Sequence, residues 1–302
     1  MALRLDWRRA ALYGVATPII GWLLWARFCY EPAPEFGQLL SQINANLRLA
    51  NSIPARDKDG NPVAAHEQLL AAAERDIALA SREQKDSAVL AEFDGFARSL
   101  RGDFAGAAER YRVARTLPDC AEDQRTVLSF NEARMLRSSG NLAQALQVLT
   151  ESQQSFSGGY AAQCLVERAE LMIAMSQRET GDGSAAKQRE ARSLLQQSLG
   201  TDQPIAWAQA GDAFASIGDD ASADAAWARA ADSVPIANLR RSRLKLRAGD
   251  VDTALQLFER AAKAAPAETR RLVREDPAAW QAIAEDARFV QLVDPKAAAP
   301  VR

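Results

Sequence analysis

Residues 207–235 read WAQAGDAFASIGDDASADAAWARAADSVP, and this stretch decides the fold. Small and apolar residues recur every three or four positions on both sides of Gly218, which predicts two helices joined by a short turn. Glycine is the residue that most readily ends a helix in a left-handed conformation, and Asp219 after it suits the N-terminal cap of the next helix. The stretch therefore predicts a helical hairpin.

The second half of this pattern recurs along the chain. A glycine is followed five residues later by an alanine, then after four by a bulky apolar residue and after three more by a small one. The copies are Gly102-Ala107-Tyr111-Ala114, Gly140-Ala145-Leu149-Ser152, Gly218-Ala223-Trp227-Ala230 and Gly249-Ala254-Phe258-Ala261, with a copy lacking the glycine at Ala191-Leu195-Ser198 and a more degenerate one at Ala73-Ile77-Ala80. Only 16 of the 302 residues are glycine, so four matches at one spacing indicate an internal repeat.

Another small residue precedes each glycine by seven positions. These residues are Gly95, Ala133, Gly211 and Ser242, and Ala169 is the equivalent in the copy without the glycine. We expect such small side chains to let two antiparallel helices approach closely, while the bulky residue fills the gap between successive pairs. Each unit is therefore predicted to be a hairpin that stacks on the next.

This pattern resembles the tetratricopeptide repeat (TPR) family, best over residues 207–235 and almost as well over Gly249–Pro266. The resemblance covers residues 86–266 and implies an all-α fold, a TPR-like solenoid of about five helical hairpins. Two departures are visible. The helix near residues 240–247 lacks the usual aromatic positions, and the repeat alanines at 107, 145, 191, 223 and 254 are 31 to 46 residues apart.

The N-terminal segment has the pattern of a membrane anchor. Ala10–Ala26 contains 17 residues without a charge, and Phe28, Cys29 and Tyr30 lengthen the run. This length predicts one transmembrane helix over Ala10 to Tyr30. Three arginines precede it (Arg4, Arg8 and Arg9), so the positive-inside rule places residues 1–9 in the cytoplasm and the rest of the chain across the membrane.

A cleaved signal peptide is the alternative to an uncleaved anchor. Signal peptidase sites need small residues, but Leu24 occupies the third position before a cut after Ala26. The uncleaved anchor is therefore favoured. We expect a single-pass protein of the inner membrane, with its C-terminal domain in the periplasm or otherwise outside the cytoplasm.

The remaining chain divides into three predicted parts. Residues 31–85 form a linker and a degenerate helical pair, residues 86–266 form the repeat array, and residues 267–302 form capping helices and a tail. The apolar residues Trp280, Ile283 and Phe289 predict that the cap is amphipathic.

Composition excludes several classes of function. The chain is 48% hydrophobic and 25% charged with a net charge of −2, which argues against nucleic-acid binding through a global positive field. With one histidine, His66, and three cysteines, it cannot build a zinc site from four cysteines or from two cysteines and two histidines. His66 has no catalytic motif around it. Asp57-Lys58-Asp59-Gly60-Asn61 lacks the glycine position and closing glutamate of a calcium loop. We therefore expect no metal, cofactor or catalytic residue.

Cys120 and Cys164 leave two possibilities open. They could pair in an oxidising compartment, but a disulfide needs a short Cα separation that different repeats do not guarantee. Two separate thiols are favoured.

The resemblance also suggests where a partner would bind. Alignment on Gly249 and on Gly140 places four arginines and two aromatic residues towards the inner groove: Arg243, Arg247, Arg134, Arg137, Phe96 and Phe130. Such an aromatic and cationic groove would hold the carboxylates and side-chain anchors of a peptide. The alternative is that these residues belong to solvated helix faces. The family's carboxylate clamp has asparagine where this chain has Arg134, so that activity is not transferred.

The function expected from anchor and repeats is that of a non-enzymatic scaffold or adaptor. It would bind a protein or peptide partner outside the cytoplasm, in assembly or quality control of an envelope complex. A translocon-associated, chaperone-like holdase is the first alternative. An envelope enzyme with an unrecognised site in the loops or in residues 36–82 is the second.

Overall fold

The computed structural model describes residues 35–294, and it is helical almost throughout. Its α-helices are α1 (Phe36–Ser52), α2 (Ala64–Glu83), α3 (Ala88–Leu100), α4 (Phe104–Thr116), α5 (Glu122–Ser138), α6 (Leu142–Glu151), α7 (Gly158–Ser176), α8 (Asp182–Leu199), α9 (Pro204–Ser216), α10 (Asp220–Ala230), α11 (Ile236–Arg247), α12 (Val251–Ala264), α13 (Pro266–Glu275) and α14 (Ala287–Val293). Two 3₁₀ segments span Gln153–Ser155 and Pro277–Ile283. No strand forms between residues 35 and 294, and the all-α prediction is confirmed.

The chain separates into two compact units between Lys85 and Asp86. In the first unit, α1 and α2 pack against each other as one hairpin. Its core consists of apolar residues at helical spacing: Leu39, Ile43, Leu47 and Ala50 from α1, and Leu70, Ala73, Ile77 and Ala80 from α2.

The second unit contains five hairpins followed by a C-terminal cap. The hairpins are α3–α4, α5–α6, α7–α8, α9–α10 and α11–α12. Within this unit, α4 also packs on α5, α8 on α9 and α10 on α11, so the second helix of each of these hairpins meets the next. The unit is a TPR-like helical repeat.

Four turns have the glycine geometry that the spacing predicts. Gly102, Gly140, Gly218 and Gly249 all have φ between 74° and 87°, the left-handed region. At each turn the amide of the following residue donates to the carbonyl five positions back, as Asp219 does to Phe214 at 3.0 Å. This is the Schellman cap that ends a helix and reverses the chain.

The residue after the glycine caps the second helix in three of these four turns. The side chains of Asp103, Asp219 and Asp250 accept hydrogen bonds from the backbone amides of Gly106, Ser222 and Thr253. Asn141 accepts no such bond, and its side-chain amide donates to the Ser139 hydroxyl.

Close approach of the two helices rests on the small residues seven positions before each turn. At Gly211, an added Cβ would lie 2.4 Å from the Trp227 ring. At Gly95, it would lie 3.1 Å from Tyr111. Ala133, Ala169 and Ser242 are fully buried at the equivalent points. The predicted close approach at the small positions is therefore observed, and Trp227 and Tyr111 each pack on the small residue of their own hairpin.

The third hairpin departs from the pattern. Its second helix, α8, has 18 residues and begins directly after Gly181, which has φ of 76°. A glycine with positive φ is thus present, but it lies ten residues before Ala191 instead of five. The extra length explains why the spacing rule missed it.

The cap closes the last hairpin with aromatic side chains. Trp280 and Phe289 pack on Phe258 of α12, with ring centroids 5.2 and 4.8 Å away. All three rings are at least nine-tenths buried. Residues 267–293 therefore cover the end of the repeat's core.

The predicted anchor, Ala10 to Tyr30, lies outside the described residues. Within residues 35–294, no helix is both long enough and apolar enough to cross a membrane.

Candidate protein-binding site

Two neighbouring clefts open on the first helices of the hairpins. The smaller cleft, of about 260 Å³, is lined by Arg137, Glu170, Ile173, Ala174, Gln177, Asp212, Ala213 and Ser216. The larger cleft, of about 400 Å³, is lined by Asp212, Ala215, Trp227, Arg240, Arg243, Arg247 and Ala279. Asp212 of α9 belongs to both, so the two clefts adjoin.

Asp212 is held in place from both sides. Its carboxylate lies 2.9 Å from the Arg240 guanidinium and accepts a hydrogen bond of 3.1 Å from the indole N–H of Trp227. Burial raises the pKa of Asp212, and the charge of Arg240 and the Trp227 hydrogen bond oppose that shift. The Gly211–Trp227 contact that closes the hairpin thus also positions a carboxylate in the site.

Arg243 and Arg247 make exposed ion pairs at the rim of the larger cleft. Arg243 lies 2.5 Å from Asp276, and both side chains are nearly half exposed. Arg247 lies 3.6 Å from Asp220, with 64% and 56% of the two side chains exposed. Because exposed pairs contribute only about 0–1 kcal/mol, either guanidinium can exchange its aspartate for another carboxylate at low cost.

Arg137 makes a different kind of contact in the smaller cleft. Its guanidinium reaches from α5 to α7, where it pairs with Glu167 at 2.9 Å and with Glu170. Burial raises the pKa of Glu170, and the charge of Arg137 partly offsets this effect. With two partly buried partners, Arg137 links successive hairpins and is less available to a ligand than Arg243.

The basic run in α11 is divided between two faces. Arg241 and Lys245 point to α10, where they bind the carboxylate of Asp224 at 2.7 and 2.9 Å. Burial would raise the pKa of Asp224, but the two hydrogen bonds outweigh it and hold that pKa below its usual value. Only Arg240, Arg243 and Arg247 of this run line the larger cleft.

The two aromatic candidates do not line either cleft. Phe130 is 8% exposed and packs edge-on against Phe156 and Tyr160, with ring centroids 6.4 and 6.1 Å away. The expectation that Phe130 faces the groove is therefore corrected: its ring fills the core between α5 and α7. Phe96 in α3 is partly buried.

Arg134 is exposed, and its guanidinium lies 5.8 Å from the centre of the Phe130 ring. This is a cation–π contact at the surface of α5. The structure thus brings together Arg137, Arg243 and Arg247 around the adjoining clefts and leaves Arg134 outside them.

Two acidic residues complete the site without having been anticipated. Glu170 and Asp212 supply the negative charge of the clefts. Each lies on the first helix of a hairpin, one residue after the small position at Ala169 or Gly211. An acidic residue directly after the small position of the first helix is therefore the sequence feature that could have identified both.

His66 has a structural position in the first unit. It is 3% exposed, and its Nδ1 lies 3.0 Å from the Ala50 carbonyl and 3.1 Å from the Ile53 carbonyl. Because carbonyl oxygens only accept hydrogen bonds, Nδ1 carries the proton. The ring thus ties α2 to the end of α1.

The loop at Asp57 is an Asx-type turn. One carboxylate oxygen accepts from the backbone amides of Asp59 and Asn61, each at 2.9 Å, and these hydrogen bonds, that of Asn61 foremost, lower the pKa of Asp57. Across the described part of the chain, no group of three His, Cys, Asp or Glu residues is placed to hold a metal ion.

Cys120 and Cys164 are separate, buried thiols. Burial raises the pKa of both, that of Cys164 to about 11, so neither is a reactive thiolate at neutral pH.

Comparison with known proteins finds similarity among solved structures. No protein-family model and no curated protein sequence matches the chain. Among solved structures, a chain described under "Functional Characterization of Pseudomonas Aeruginosa pilF" is 16% identical, with a TM-score of 0.48, and the match covers 79% of this chain and 99% of that one. The TPR-like assignment above rests on the hairpins and turns of this chain itself.

Proposed function

We propose that the protein is a non-enzymatic, TPR-like scaffold that binds a segment of another protein in the two adjoining clefts. The observation that carries this proposal is the pair of charged clefts on successive first helices, joined at Asp212. Side chains from four hairpins and the cap meet there, which is how helical repeats build extended binding surfaces.

The uncharged run of residues 10–30 supports a place for this scaffold at a membrane. Three preceding arginines favour an inner-membrane protein whose repeat lies on the periplasmic side. In that position the scaffold would act in assembly or quality control of an envelope complex.

Affinity purification tests the binding site. The tagged full-length chain is recovered from solubilised cells, alongside Arg243→Glu/Arg247→Glu and the control Arg260→Glu. Arg260 is an exposed arginine of α12 that lines neither cleft, so its reversal repeats the charge change away from the site. We expect the double variant to lose partners that the wild type and the control retain. Equal recovery from all three proteins would refute the site.

Reporter fusions test the location. Alkaline phosphatase fused after Arg302 is expected to be active, because the enzyme folds only outside the cytoplasm, whereas a cytoplasm-specific fluorescent reporter at the same point is expected to be dark. The opposite pattern would reverse the orientation, and recovery of the intact chain in the soluble fraction would remove the anchor.

A further inference from the structure

The two clefts differ in the sign of their lining charge. The smaller cleft places one guanidinium, Arg137, against the two carboxylates of Glu170 and Asp212. The larger cleft places three guanidiniums, from Arg240, Arg243 and Arg247, against the single carboxylate of Asp212. Asp212 is paired with Arg240 and belongs to both clefts, so the smaller cleft keeps Glu170 against Arg137, which it shares with Glu167, and the larger cleft keeps Arg243 and Arg247 with no other carboxylate in its lining.

The carboxylates of the smaller cleft are ion-paired, but neither has a guanidinium of that cleft to itself. Arg137 divides its guanidinium between Glu170 and Glu167, so neither carboxylate has it alone. Asp212 is paired with Arg240, which lines the larger cleft. Burial raises the pKa of Asp212 most, and the negative charge of Glu170 raises it further, so the two acids oppose each other across α7 and α9. A cation placed between them would relieve this repulsion.

The larger cleft has more guanidinium groups than carboxylates in its lining. Two of its three guanidiniums, those of Arg243 and Arg247, are held only by exposed aspartates outside the cleft lining. A carboxylate entering the cleft can take over either pair. Trp227, Ala215 and Ala279 line the same cleft beside these charges and add apolar surface to it.

We propose that the site selects a polypeptide segment with a basic and an acidic residue close together, the basic one in the smaller cleft and the acidic one in the larger. The selectivity rests on the proposed binding function and adds to it the chemistry of the partner. Because Asp212 is common to both clefts, the two charges must enter side by side, and the order of the clefts fixes the direction of the bound segment.

Labelled probe peptides test this selectivity with the full-length chain in detergent micelles. Four 12-residue probes are used: one with glutamate only, one with lysine only, and two that carry a lysine block next to a glutamate block in either order. Fluorescence anisotropy at 50 and 300 mM salt gives their affinities. We expect one of the two mixed probes to bind about tenfold more tightly than each single-charge probe, and all binding to weaken at the higher salt.

Variants assign each charge to its cleft. Arg243→Glu/Arg247→Glu is expected to abolish the advantage of the mixed probe over the lysine probe. Glu170→Gln/Asp212→Asn is expected to abolish its advantage over the glutamate probe, while Arg260→Glu changes neither. Circular dichroism melts confirm that each variant is folded. Since Asn keeps an oxygen that can accept from Trp227, the second double variant preserves the local hydrogen bond.

The experiments distinguish failure of the charge selectivity from failure of the binding function. If the glutamate probe binds as tightly as the better mixed probe, the smaller cleft recognises no cation and the selectivity is wrong, although the binding site itself stands. If no probe binds and partner recovery is also insensitive to Arg243→Glu/Arg247→Glu, the binding function fails together with its selectivity.

Discussion

Gly211→Ala is the sharpest test of how the repeat packs. A Cβ at this position would lie 2.4 Å from both Cδ1 and Nε1 of Trp227, whereas ordinary contacts begin near 3.4 Å. Either the indole or the helix must therefore move by about 1 Å. The ring cannot yield easily, because it is 4% exposed and its N–H bonds to the Ala208 carbonyl at 3.2 Å and to Asp212 at 3.1 Å.

Three contributions set the expected magnitude. Overpacking a core costs about 1–3 kcal/mol, and a contact this short belongs at the upper end. Distorting the indole hydrogen bonds adds about 1 kcal/mol. Replacing a helical glycine by alanine returns about 1 kcal/mol. The net loss of unfolding free energy is thus about 2–3 kcal/mol, which lowers Tm by roughly 4–10 °C in a chain of this size.

Urea denaturation followed by circular dichroism measures this loss. Gly95→Ala is the matched control, because its Cβ would meet Tyr111 at 3.1 Å, a contact that a shift of a few tenths of an ångström relieves. We expect it to be neutral within about 0.5 kcal/mol. Trp227→Leu should cost less in the Gly211→Ala background than in the wild type, since it removes the clashing ring. A Gly211→Ala protein as stable as the wild type would refute the packing argument.

Three further predictions concern polar groups. Arg137→Ala leaves two partly buried glutamates without their partner and should lower the free energy of unfolding by about 1–3 kcal/mol. Arg247→Ala removes only an exposed 3.6 Å pair and should change it by less than about 0.5 kcal/mol. Urea denaturation of both variants measures the two changes. His66→Ala leaves two carbonyls without their buried donor, so hydrogen exchange should accelerate across residues 36–83 and not beyond residue 86. Burial raises the pKa of Glu132 despite its 2.6 Å pair with Arg115, so ionising this carboxyl costs folding stability as pH rises above 4.5. The stability of Glu132→Gln relative to wild type should therefore increase from pH 4 to pH 7. A difference that stays constant over this range would contradict that assignment.

Local rules explain why so much of the fold was predictable. The left-handed glycine, the cap bond five residues back and the small residue seven positions before it all depend on short stretches of chain. A reader of the sequence can therefore place each hairpin without knowing its neighbours. The third hairpin is the exception. Its helix α8 has extra residues between Gly181 and Ala191, so a pattern with fixed spacing does not find its turn.

The site was only partly predictable because it depends on the register between hairpins. Counting from Gly140 and Gly249 singled out Arg137, Arg243 and Arg247, which line the two clefts, and their role in binding a partner stays a prediction. The same counting put Phe130 in the groove, but its ring is buried against Phe156 and Tyr160. Counting within one repeat also could not identify Asp212 as the carboxylate shared by both clefts, because its ion-pair partner Arg240 lies on the next hairpin.

The arginines of α5 and α11 separate into two roles according to the number and burial of their carboxylate partners. Arg137 holds two partly buried glutamates, so a ligand that captured it would leave both uncompensated, and the stack would lose stability. Arg243 and Arg247 hold exposed aspartates that water can solvate when the pair breaks. Binding energy is therefore best gained at α11, where capturing a guanidinium leaves no buried charge behind. For this reason charge reversal at Arg243 and Arg247 should weaken binding without unfolding the repeat. Loss of Arg137 should instead lower the stability of the repeat, with a smaller direct effect on binding.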